Sequence, residues 1–301
     1  MKRFVSSSWV VLKDTVKDFL EDDSFSYASS IAFSTIFSLP AILIIALAVG
    51  STFYERNVVQ DELINQVGRL VGPDTAKEIE NILLQAAFDS TGWWAKTVGF
   101  VTLALSATTV FMSLQNSLNK IWGIKPKPAR GWLKYIINRL VSLAMVISFG
   151  FVLLVSLLID TILVVFQGML ARFMEGVTLY LVTALNVVIS LGFIMVIFGL
   201  MFKVLPDAKI RWRHVWVGAM VTTLLFTVGK YLIGFYLGNS SLNSAYGAAG
   251  SLVIILLWVY YSTVIFLFGA ELTSVYAKAS GAAIQPYSHA VRVRLVEVEK
   301  K

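Results

Sequence analysis

The sequence of 301 residues has no cysteine, only two histidines and six prolines, and just 14% charged residues. The lack of cysteine excludes disulfides, thiolate metal sites and thiol redox chemistry, and it leaves the redox compartment open. The scarcity of histidine narrows the chemistry further. His214 and His289 form no His-x-His arrangement, so the clustered His, Asp and Glu side chains that hold ions in metal-dependent hydrolases are missing from the pattern. No metal or other cofactor is expected. There is no Walker sequence, so this chain encodes no ATP-driven pump. Serines are abundant, but no Ser-His-Asp set is arranged among them. An enzyme is not expected.

What the chain has in excess is hydrocarbon. With 57% hydrophobic residues and a mean hydropathy of +0.76, it is too apolar to hide its side chains in one soluble core. A bilayer core of roughly 30 Å needs about 20 apolar residues in helix. Six stretches reach that length, near residues 31–53, 97–115, 140–166, 178–202, 215–237 and 247–270. They are continuous rather than alternating, which excludes a β-barrel. The predicted fold is therefore all-α, a polytopic membrane protein of six transmembrane helices with an extracytoplasmic helical hairpin between the first and second.

The opening "MKRFVSSSWVVLKDTVKDFLEDD" is interrupted by Lys13, Asp14, Lys17 and Asp18, so no cleaved signal is expected. Phe4, Trp9, Leu12, Val16 and Phe19 recur at helical steps. That pattern fits a helix lying in the membrane surface, or one packed on cytoplasmic loops. The expected division is a cytoplasmic amphipathic segment over 1–26, a six-helix transmembrane domain over 27–277 and a cytoplasmic tail over 278–301. The insertion at 54–96 carries two amphipathic patterns broken at Gly72-Pro73. It reads either as a cap over the outer mouth of a cavity or as a linker on the membrane surface.

Lysines and arginines set the orientation. Nineteen fall in the two terminal segments and the loops after the second and fourth spans, against five on the opposite side, with Lys230 left inside a span. The positive-inside rule then places both termini in the cytoplasm. The net charge of +7 accordingly reads as topology and attraction to membrane lipids, anionic ones included. No RNA-binding module surrounds the basic loops, and no nucleic acid is expected as a partner.

Polar residues within the spans are the candidate site. Ser26, Ser30, Ser34 and Ser38 share one face before Pro40, which frees a backbone carbonyl and allows a kink. Thr102, Ser106, Thr109, Ser113, Asn116 and Lys120 form a second polar face. Such stripes either line a hydrated cavity or pack against each other. Ionisable groups at membrane depth cost on the order of 3 kcal/mol and mark functional candidates. Helix rise places Asp160 and Lys230 in the outer part of the membrane, where they are expected to pair. Glu271 falls at the inner edge, where Arg139, Lys203 or Lys120 is the expected partner.

"ASSIAFSTIFSLPAIL" around Pro40, "SLNKIWG", "GKYLIGFYL" and "SAYGAAGSLVIILLWVYYSTVIFLFGAEL" together resemble the YihY/virulence factor BrkB family of bacterial inner-membrane proteins, over nearly all of residues 25–277. The resemblance implies a six-helix bundle in the bacterial cytoplasmic membrane. It also implies that Pro40, Lys230, Tyr246, Gly247, Trp258 and Glu271 occupy motif positions. Family members have carried a ribonuclease BN-like label, while transport of lipids or other amphiphiles fits these residues better. The expected function is a transporter or translocation factor for a lipid-like or small amphiphilic substrate. The alternatives are a non-transporting scaffold that holds an envelope partner through 54–96 and, behind it, a tRNA-processing nuclease.

Overall fold

The computed structural model describes residues 2–71, 76–77, 79–81, 93–127, 177–239, 250–282 and 284–293. These residues are mostly helical. In chain order they form α1 (Lys2–Glu21), α2 (Ser24–Gly50), α3 (Arg56–Val71), α4 (Trp93–Ile121), β1 (Ile124–Pro126), α5 (Val177–Val204), β2 (Ala208–Lys209), α6 (Trp212–Asn239), α7 (Gly250–Ala279), β3 (Gln285–Pro286) and β4 (Ala290–Arg292). Among the described residues, four helical stretches are long and apolar enough to cross a membrane: Ser24–Gly50, Val187–Val204, Trp212–Ile233 and Leu252–Ala279. The predicted span over 140–166 lies outside the described residues.

Helix α2 is held between α4 and α7, α7 packs on α6, and α6 packs on α5. The main apolar cluster joins Ala28 and Ile31 of α2 with Leu114 and Leu118 of α4, Phe202 of α5 and Phe266 and Leu267 of α7. Outside it, large side chains such as Phe33, Phe37, Val188 and Leu232 stay exposed, as lipid-facing positions require. α3 lies on α2, α6 and α7; Ile64 and Val67 pack with Leu43, Ile79 and Ile255.

Helix α1 packs on α7 and α2. Val11 packs on Leu272 and Val275 of α7, and Phe19 joins the main core. Trp9, Leu12, Val16 and Leu20 remain exposed along the other side. Phe19 therefore leaves the apolar stripe predicted for it, because its ring packs edge-on against Phe25 and Phe268.

One end of the bundle gathers the N-terminus of α2, the C-termini of α4, α5 and α7 and the start of α6. Short strands tie these ends to the tail: β1 pairs antiparallel with β4, Lys125 opposite Val291, and β2 with β3, Lys209 opposite Gln285. Gly123 allows the turn from α4 into β1, with φ of 64° and its carbonyl accepting the Val293 N–H at 2.8 Å. A side chain there would be strained and would crowd the Val293 carbonyl.

Asp22 sits in the turn between α1 and α2. Partial burial, with Asp18 beside it, raises its carboxyl above the ordinary value, while Lys278 and Lys120 pull it down. A carboxyl raised by folding contributes most stability below its unfolded value and loses it as pH rises through the folded one. Asp22→Asn is therefore expected to raise the melting temperature slightly at neutral pH, with the gain vanishing in acid. Melting curves across that range check the sign, and an Asp22→Asn protein less stable at neutral pH would contradict it.

Candidate functional site

The site is built where α6 and α7 run antiparallel with their backbones almost touching. A Cβ on Gly218 would meet Thr273 Oγ1 at 1.8 Å, and one on Gly269 would meet Thr222 Oγ1 at 1.7 Å. Each helix thus offers a glycine and, four residues on, a threonine. Both threonines are buried, and their hydroxyls donate to carbonyls one turn back, Thr222 to Gly218 at 2.7 Å and Thr273 to Gly269 at 2.8 Å. The seam is dense and its polar atoms are satisfied, which is how small residues hold helices together in lipid. Farther along the same register, Gly229 lies under Tyr261.

Two positions beyond Gly269, Glu271 is fully buried, and neither carboxylate oxygen has a hydrogen-bond partner among the described residues. The Trp122 indole donates to the Ala270 carbonyl at 3.1 Å, pinning the end of α4 beside it. Ser24 and Ser274 are likewise buried, with hydroxyl oxygens lacking a partner among the described residues. The charges that bear on Glu271 are Asp22, Lys278 and Asp18. Because α7 continues to Ala279, Glu271 stands about 12 Å of helix rise inside the helix's end.

Two of the expected cation partners are engaged elsewhere. Lys203 donates to the Ile210 carbonyl and lies over the Trp212 ring, and Lys120 lies over the Tyr27 ring at 5.0 Å. Lys278 pairs with Asp18 at 3.4 Å. Loop carbonyls and aromatic faces thus take the cations that sequence reasoning assigned to Glu271. Arg139 lies outside the described residues, as do Asp160, Tyr246 and Gly247. Lys230 is half-buried and forms no salt bridge among the described residues. The α6–α7 register sets it level with Tyr260 and Tyr261, about 16 Å along the helix from Glu271.

The serine stripe divides. Ser38 is buried and donates to the Ser106 carbonyl of α4 at 2.6 Å, so at this point the stripe is an interhelical contact. Ser34 and Pro40 are half-buried, and α2 stays helical through Pro40. Asn116 is exposed; the buried amide is Asn119, 2% exposed. One residue from Lys120, about 100° around the helix, carries Asn119 inward.

Asn119 reveals a polar clamp that stripe counting misses. Its Nδ2 donates to Asp207 Oδ2 at 2.9 Å while its Oδ1 accepts the Asp207 N–H at 2.8 Å. Asp207 Oδ1 also meets Gln115 Nε2 at 3.3 Å and His289 Nε2 at 3.0 Å, and the Asp207 carbonyl accepts the Tyr287 N–H at 3.0 Å. Tyr287 stacks on His289. One aspartate after α5 thereby fastens α4 and the tail. Its only sequence signal was Asn119 inside "SLNKIWG".

Comparison with known proteins supplies names. A UPF0761 membrane protein of Xanthomonas campestris is 29% identical over 260 residues, 85% of this chain and 58% of the relative. One from Verminephrobacter eiseniae is 28% identical over 271 residues, covering 88% of this chain and 62% of its own length. The chain thus spans about three-fifths of the curated relatives it matches. No solved structure matches it. The family model described as "Virulence factor BrkB" matches residues 15–294, nearly the whole chain, and the chain belongs to the virulence factor BrkB family of membrane proteins.

Proposed function

We propose that this BrkB-family protein is a transport or translocation factor of the bacterial inner membrane, moving a lipid-like or small amphiphilic substrate. In this reading six helices span the bilayer, the basic end with α1 and the tail faces the cytoplasm, and α3 begins an outer hairpin that caps the bundle. The observation that carries it is Glu271, fully buried with no partner for either oxygen among the described residues. An unpaired carboxyl in an apolar helix costs several kcal/mol in simple structural terms, so its presence argues for use in function. Lys230 toward the outer side and Glu271 toward the inner side then bias the two states of the cycle. A nuclease gains no support from the described residues, among which no three His, Asp or Glu side chains are grouped to hold a metal.

The test is reconstitution in liposomes carrying a fluorescent anionic phospholipid in one leaflet, with and without a proton gradient. Wild-type protein is expected to exchange the lipid above empty vesicles, and Glu271→Gln, nearly isosteric, to cut the rate about tenfold, the effect of losing 1.4 kcal/mol of barrier lowering. Lys230→Ala is expected to slow exchange as well. Equal rates in wild type and both variants, with all three folded, would remove the charges from the mechanism. Exchange no faster than in empty vesicles would favour an envelope scaffold acting through 54–96.

A further inference from the structure

At the basic end, the turn from α5 into α6 and the chain following α7 enclose a cavity of about 710 Å³. Lys209, Arg211 and Arg213 line it from one side, with His214, Ser280 and Gln285 completing the polar wall. No carboxylate is among its described lining residues. Arg211 and Arg213 are exposed and make no salt bridge among the described residues, while Lys209 lies over the Tyr287 ring at 5.8 Å. Three cations converge on one concave surface with no counter-charge among its described lining residues, and such a surface concentrates anions.

The deeper wall carries a buried polar pair. His214 is 4% exposed, its Nε2 lies 2.8 Å from Ser280 Oγ, and its Nδ1 is buried without a hydrogen-bond partner among the described residues. The Ser280 hydroxyl also donates to the Ala277 carbonyl at 3.0 Å, an oxygen that accepts the Ala282 N–H as well. The start of α6 adds to the field. The Arg211 carbonyl accepts the His214 N–H at 3.0 Å, which makes Arg211 the cap of a helix of 28 residues whose first N–H groups lack intrahelical acceptors.

The flanking tryptophans fix the depth. Trp212 and Trp216 are stacked with ring centres 5.8 Å apart and stay 43% and 36% exposed. Indoles so exposed on a spanning helix sit at headgroup level, the depth of lipid phosphates. The volume exceeds what a bare phosphate fills and suits a headgroup with its glycerol.

We propose that this cavity binds the phosphate ester of an anionic amphiphile, a lipid of phosphatidic acid type, with Arg211 and Arg213 as the principal phosphate ligands and Lys209 as a further donor. The assignment rests on the lipid-handling reading above for its ligand class. It predicts binding and requires no movement, so the two fail separately.

The experiment is native mass spectrometry of the full chain in mild detergent, titrated with short-chain phosphatidic acid, short-chain phosphatidylcholine, inorganic phosphate and glycerol phosphate. Phosphatidic acid is expected to bind more tightly than phosphatidylcholine. Arg211→Gln with Arg213→Gln should weaken it about tenfold or more, or 1.4 kcal/mol per factor of ten. Both arginines are exposed, so folding should be unaffected. Lys13→Gln with Lys125→Gln, two exposed cations outside the cavity lining, removes the same charge and should change binding less than about twofold if the effect is local. Equal losses in both double variants, or none in either, would overturn the site. Displacement of the lipid by inorganic phosphate or glycerol phosphate at equal concentration would keep the phosphate site and overturn the lipid as its source.

Discussion

Gly269→Leu is expected to break the seam between α6 and α7 and to be the most damaging single substitution in the described core. The first atom of the new side chain would fall 1.7 Å from Thr222 Oγ1, 3.0 Å from Thr222 Cβ and 3.1 Å from Phe202 Cζ. Thr222 and Phe202 are fully buried and cannot swing into open space. Overpacking of this kind costs about 1–3 kcal/mol where neighbours yield, and here the nearest neighbour is a branched side chain on a packed helix, so about 3 kcal/mol or more is expected. That is a large share of an ordinary stability of about 5–15 kcal/mol. Gly218→Leu should behave alike, since its Cβ would meet Thr273 and lie 2.9 Å from the Gly269 carbonyl.

A size swap separates seam packing from any general intolerance. Gly269→Ala with Thr222→Gly removes the blocking side chain while adding only a methyl. It should recover most of the loss, short of about 1 kcal/mol for the new helical glycine. Thermal unfolding in detergent ranks the variants. A Gly269→Leu protein as stable as wild type would mean that the helices do not meet here. Because Glu271 is two residues away, a displaced seam should also change its burial, and lipid exchange should fall with stability.

The second large effect is expected at Asn119. Asn119→Leu removes the amide that donates to Asp207 and strands the Asp207 N–H that Asn119 Oδ1 now accepts. Losing a charge-assisted bond and leaving a donor unpaired costs about 2–3 kcal/mol. Asn116→Leu on the same helix is the control, because Asn116 is exposed and its change should stay within about 0.5 kcal/mol. The tail reports the difference. With Asp207 no longer held by α4, its contacts to His289 and Tyr287 should loosen, and trypsin should cut faster at Arg292 in Asn119→Leu than in wild type. Equal stability and equal cleavage in the two asparagine variants would sink the clamp.

Much of the architecture was legible in sequence because lipid leaves few choices. The run ending at Glu271 could only be a long helix, since its backbone must bond internally. Its boundary was less legible: α7 continues to Ala279, because the bundle's basic end packs α1 against the helix's last turns through Val11 and Val275. Glu271 was legible as a candidate, but the engagement of Lys120 and Lys203 away from it was not. Charge counting placed Lys120 and Lys203 nearby without showing that Tyr27, Trp212 and a loop carbonyl had already engaged them.

By itself the sequence determined that this protein is a helical membrane protein of the BrkB type, free of disulfides and dense in cations at the ends of its apolar runs. Composition and run length decide such properties, because burying or exposing backbone and charge in hydrocarbon carries the same cost wherever it occurs. Only the tertiary structure decided that Ser38 bridges helices while Asn116 faces outward, that Gly218 and Gly269 form a seam, and that Asp207, Asn119 and His289 meet. Those contacts join residues far apart in the chain, and their geometry depends on rotations of about 100° per residue that a polar stripe read along one helix does not fix.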